Sequence, residues 1–148
     1  MSQRVFRAIA LFLIMAFSIS VPRARADEWN QRTELTFIEP VEIPGHALPA
    51  GTYWFVLANN NSSRDIVRIF NADGSVLCAT LVTVPIERPQ ASHGTILTYA
   101  ERPHSEPRAV LDWFYPGETV GHEFVYPRRV ERELSRDMHQ DVTVAAGE

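Results

Sequence analysis

Residues 41–58, VEIPGHALPAGTYWFVLA, set the narrowest limits on what this chain can fold into. Pro44-Gly45 and Pro49-Ala50-Gly51 punctuate the stretch. Proline holds φ near about −65° and glycine takes positive φ without steric cost, so both pieces read as turns bracketing a short connection. Directly after Gly51 come Thr52, Tyr53, Trp54, Phe55 and Val56, all β-branched or aromatic, with no helix cap and no helical spacing. In extended backbone Tyr53, Phe55 and Leu57 face one way while Trp54, Val56 and Ala58 face the other, so both faces are apolar. This predicts a strand in the middle of a sheet that is covered on both sides. The order LPAGT is not the L-P-x-T-G of sortase substrates, and no apolar C-terminal anchor follows it.

The first 26 residues have the layout of an export signal. Arg4 and Arg7 give a charged start, residues 8–21 an apolar run, and Ala24-Arg25-Ala26 places small residues at the cleavage site. The apolar run is shorter than the roughly 20 residues that span a bilayer, so a retained anchor is the weaker reading. No cysteine lies at the cleavage site, which argues against a lipoprotein anchor. Taking 26 residues from 148 leaves 122, the size of a single domain. The expectation is residues 1–26 as signal, residues 27–148 as one β-sandwich-like domain with a frayed tail, and a periplasmic or secreted location.

Every basic residue other than histidine is an arginine, and four of the 14 lie in the signal. Ten arginines against 18 acids put the exported chain near −8, which argues against nucleic acid and anionic membranes as partners. An envelope glycan or an envelope protein is left as the class of partner. Cys78 is the single cysteine, so no intramolecular disulfide forms even in an oxidising compartment. It stands in SVLCATLVTV, residues 75–84, an apolar strand pattern that predicts a buried, inert thiol.

Turn punctuation and period-two spacing predict the other elements. Residues 32–39 form a first strand with Leu35 and Phe37 on one face. The polar NNNSS of residues 59–63 forms a loop, and residues 64–71 form a strand that a turn at Asn71-Ala72-Asp73-Gly74 joins to the Cys78 strand. Two prolines make 85–93 a loop, residues 94–101 return as a strand, and Pro107 opens a helical turn or two through Trp113. Residues 121–126 form the last strand. Val130, Leu134 and Met138 at four-residue spacing among charges predict a short helix over 128–140, followed by a frayed tail from Asp141. The sum is a mainly β protein, an antiparallel β-sandwich or partly closed barrel of about six or seven strands with a short C-terminal helix. The connections at Asn59 and Asn71 are too short for the crossovers of an α/β fold.

No catalytic, metal or cofactor signature stands out. His46, His93, His104, His122 and His139 include no pair at the i, i+2 or i, i+4 spacing that presents two imidazoles to one metal. His122 and Glu123 point to opposite faces of their strand. There is no G-x-S-x-G elbow, and Ser75, Ser92 and Ser105 lie in turn-like contexts. Glu101 with Glu106, or Glu118 with Glu123, are the carboxylate pairs that could share a cleft, as glycoside hydrolysis requires. Trp113, Phe114, Tyr115, Phe124 and Tyr126 form either an apolar platform for sugars or proline-rich peptides or, the reading preferred here, one end of the core.

The run from Pro40 through VEIPGHALPAGTYWFVL, ERPHSEPRAVLDWFYPG at residues 101–117 and GHEFVYP at residues 121–127 together resemble a family of small uncharacterised secreted bacterial proteins. The resemblance implies export and a mostly β fold, and it brings no activity and no site residues. Three functional classes follow: a non-catalytic exported binding or structural module, which is preferred; a small hydrolase or metal-dependent enzyme with a site assembled from separate loops; and an accessory subunit of a cell-envelope assembly. Export itself is directly testable. N-terminal sequencing of the exported protein should begin at Asp27, and intact chain with Met1 in the membrane fraction would refute the signal assignment.

Overall fold

A computed structural model describes residues 31–58, 66–103 and 105–144. Residues 1–26, read from the sequence as an export signal, the NNNSS of residues 59–63 and His104 lie outside the described residues. The elements are β1 (Arg32–Phe37), β2 (Val41–Ile43), β3 (His46–Leu48), β4 (Gly51–Leu57), β5 (Ile66–Asn71), β6 (Leu77–Glu87), β7 (Thr95–Glu101), β8 (Arg108–Phe114), β9 (Val120–Phe124), α1 (Arg128–Leu134) and β10 (Met138–Val144). They form one mainly β structure in the order β1-β4-β5-β6-β9-β8-β2-β3, with β7 also on β8 and β10 on β7. Pairing is antiparallel except for β2 on β8, which is parallel. The sheet is open and no barrel closes: β1, β3 and β10 are edges among the described residues.

Much of the first half follows from local rules. Leu35 and Phe37 of β1 are buried while Glu34 and Thr36 are exposed. Gly45 turns β2 into β3 at φ +94°, a conformation that disfavours any Cβ. The β5–β6 turn closes on Gly74 at φ +73°, with Gly74 N donating to Asn71 O at 2.9 Å and Val76 N to Asn71 Oδ1 at 3.0 Å. β4 does lie inside the sheet, between β1 and β5. Its second face, however, is only half covered: Trp54 and Val56 are half-buried, and Trp54 is capped by the Arg32 guanidinium 4.9 Å from its ring. The strand buried on both faces is β7, from Thr95 to Ala100.

Ten strands form among the described residues, where six or seven were expected. Pro85 does not end β6, because the β5 ladder stops at Val82 and only β9 pairs with residues 83–87. A strand half with one partner tolerates a missing N–H. The helical turn expected after Pro107 is instead β8. Leu111 bulges out between Val110 and Asp112, so burial falls on Ala109, Val110, Trp113 and Phe114, a spacing that mimics a helix. The C-terminal helix stops at Leu134, and Met138, 77% exposed, begins β10, whose pairing with β7 orders the tail to Val144. Cys78 is half-buried rather than fully buried, for it is the extra residue of a bulge opposite Ile69 and Phe70.

The β6 strand hands the chain from one ladder to the other, and the two groups of strands turn their apolar faces together. Phe55 of β4 meets Trp113 of β8 at 6.1 Å and Phe124 of β9 at 6.2 Å, both edge to face. Trp113 has no exposed surface, Phe124 and Tyr126 are buried in the same cluster with Tyr115 partly buried against it, and Phe114, also buried, turns to the opposite face with the Arg88 guanidinium 4.9 Å from its ring. The aromatic cluster is therefore core and not a platform. Trp113→Ala should lower stability by about 3 to 5 kcal/mol, read as a fall in denaturant midpoint with unchanged slope. A wild-type midpoint would contradict this packing.

Candidate functional site

Cross-strand register, rather than sequence proximity, assembles the ionisable groups. Asp141 of β10 lies opposite Thr98 of β7, Thr98 opposite Asp112 of β8, and Asp112 opposite Glu123 of β9. Glu123 in turn lies opposite Val84 of β6. Because opposed residues share a face, three carboxylates and a hydroxyl line up across four strands on the side away from Trp113. This row borders a cleft of about 510 Å³, whose apolar lining includes Val84, Ile86, Leu111 and Val125. Helix α1 supplies the facing wall through Glu131, Leu134 and Ser135. Val130 and Leu134, one turn apart, turn inward, and the remaining helix positions carry charge.

The carboxylates are not equivalent. Asp141 is held at both oxygens: Thr98 Oγ1 donates to Oδ1 at 2.9 Å and Arg88 Nη2 lies 3.3 Å from Oδ2. Asp112 is pushed up to about 6, foremost by burial. The Thr98 hydroxyl and the nearby His139 oppose that shift, while the charges of Glu123 and Asp141 add to it. His139 Nε2 lies 3.0 Å from Leu134 O, and a carbonyl only accepts, so this nitrogen carries the proton and ties β10 to the end of α1.

The sequence-predicted candidates are scattered. Glu101 pairs with Arg108 at 3.6 Å and Glu106 with Arg102 at 2.9 Å, in a separate recess that also holds Ser105. Arg102, with only 12% of its side chain exposed, also pairs with Glu42 and, at 3.8 Å, with Glu133 of α1. That arrangement braces β2, β7 and α1 and leaves no carboxylate pair for acid–base work. Glu118 is exposed, and the partner of Glu123 is Asp112. His122 does face away from Glu123, buried 5.7 Å from the Trp113 ring with Nδ1 3.4 Å from Thr83 Oγ1. His46 and His93 are exposed on separate elements. Among the described residues, no three His, Cys, Asp or Glu side chains group as metal ligands, and no helix is long and apolar enough to cross a membrane. Ser75 and Ser92 make local turn contacts, with Asp73 and with the Gly94 amide.

Asp112 was missed because its charge sat inside a stretch read as helical, and only the β8 register places it beside Glu123. Comparison of the chain with protein-family models, with curated proteins and with solved structures gives no significant match in any of the three.

The Asp112 environment makes stability depend on pH. Its folded value of about 6 lies above the ordinary 3.8, so the folded chain holds this proton more tightly than the unfolded one. The contribution is fully present below 3.8 and is lost as pH rises through about 6. Asp112→Asn removes the charge, so its denaturant midpoint relative to wild type should be higher at pH 8 than at pH 4. An equal difference at both pH values would show that Asp112 titrates normally.

Proposed function

We propose that the chain is an exported, non-catalytic binding module, a sandwich-like folded sheet that takes its ligand in the cleft between α1 and the strands β6, β8 and β9. The observation that carries this reading is the composition of the cleft: apolar walls at Val84, Ile86, Leu111 and Leu134 meet the carboxylates of Asp112 and Glu123. Recesses that combine apolar lining with a few convergent polar groups are the usual form of ligand sites. The charged start, apolar run and Ala-x-Ala of residues 1–26 support export.

One observation favours an enzymatic second reading. Asp112 near 6 beside Glu123 is a pair of carboxylates in unequal environments, the arrangement that divides acid and base roles in a hydrolase. A fragment screen followed by amide chemical shifts decides the matter. Hits should move Leu111, Asp112, Glu123 and α1 together, without turnover of chromogenic glycosides or esters. Shifts confined to other surfaces would remove the cleft as the site, and turnover abolished by Asp112→Asn would replace the binding module with the hydrolase.

A further inference from the structure

Resting on the cleft as a ligand site, we propose that its occupant is a basic segment of a partner protein in which arginine or lysine alternates with apolar residues. The apolar surface does not stop at the cleft mouth. Val82 and Val84, two apart on β6 and therefore on one face, are 62% and 48% exposed, and Val125 beside them is 47% exposed. Val125 N donates to Val82 O at 3.2 Å, which holds the three together, and half-buried Ile66 lies opposite Val82. An apolar strip thus runs along β6 into the recess lined by Ile86, Leu111 and Leu134. A strip of this length suits a chain segment better than a small molecule.

Charge selects the partner. Asp112, Glu123 and Glu131 lie along the cleft, and among the described residues none of the arginine ion pairs reaches them. The contrast is with Glu42, Glu106, Glu133 and Asp141, each paired with Arg102 or Arg88. Carboxylates that none of these arginine ion pairs reaches, with the imidazole of His139 as the basic side chain in the same lining and bare apolar surface beside them, complement a segment that carries cations between apolar side chains. A second copy would bring the same acids face to face across a two-fold axis, against an overall charge near −8 after export. Anionic lipid repels the same face.

The test uses the purified protein and three synthetic octapeptides in which valine alternates with arginine, glutamine or glutamate, together with agmatine as a lone cation. The arginine peptide should bind, shift the amides of Val84, Leu111 and Glu123, and lose affinity as salt rises. Glu123→Gln with Glu131→Gln, both at exposed positions, should weaken it by about tenfold or more. Equal binding of the arginine and glutamate peptides would overturn the proposal, as would affinity unchanged in the double variant or agmatine binding as tightly as the peptide. A concentration-dependent dimer that covers Val82 and Val84 would overturn it in favour of self-association. Peptide failure with fragments still in the cleft refutes the partner and leaves the binding module, whereas failure of both removes the site itself.

Discussion

The contact of Phe55 with Trp113 and Phe124 is the constraint on which the other features depend. β4 is not hydrogen-bonded to β8 or β9 directly; the ladder between them runs through β5 and β6, and side-chain packing holds its two ends face to face. Edge-to-face rings at about 6 Å bury large apolar area and fix the mutual orientation of their strands. With the rings turned inward, alternation sends their neighbours Asp112 and Glu123 outward. The acidic row is therefore a by-product of the core register. A slip of one residue in β8 would bury Asp112 and expose Trp113.

What was legible in the chain was what local chemistry determines. The alternation of β1, the glycine turns at Gly45 and Gly74, the interior place of β4 and the mainly β class all follow from residues close in sequence. Three readings failed because a distant partner changed the local rule. The Leu111 bulge gave β8 a helical burial pattern, the end of the β5 ladder made Pro85 harmless in β6, and pairing with β7 drew Met138 and the tail into β10. Glu123 was singled out with the wrong partner, and Asp112 and Asp141 were not singled out at all. Their association exists only in the pairing of β10, β7, β8 and β9, to which no short-range signal points.

Two treatments of charge coexist on the domain. Around Arg102, carboxylates from β2, the turn after β7 and α1 converge on one guanidinium, whose bidentate geometry suits several acceptors. Around Asp112, acids gather without such a centre, and burial instead raises the pKa of Asp112 to about 6. The first arrangement clamps α1 from its far side, through Glu133, while Leu134 and His139 anchor its end. The helix is thereby kept in place as a wall although it spans only seven residues, well below the length at which isolated helices persist.

The handover along β6 also has a consequence for how the chain reaches this state. Its first half must find β5, a neighbour through a tight turn, but its second half must find β9, and β2 must find β8 from residue 41 to residue 108. Local hairpins close in microseconds, whereas pairings across such separations must first overcome loop-closure entropy. The β5–β6 hairpin is thus expected to form early while its far end waits, unpaired, for the C-terminal half. During that interval Val84 and Ile86 present a bare apolar edge, and Pro85 between them, unable to donate to a neighbouring strand, discourages other chains from pairing there.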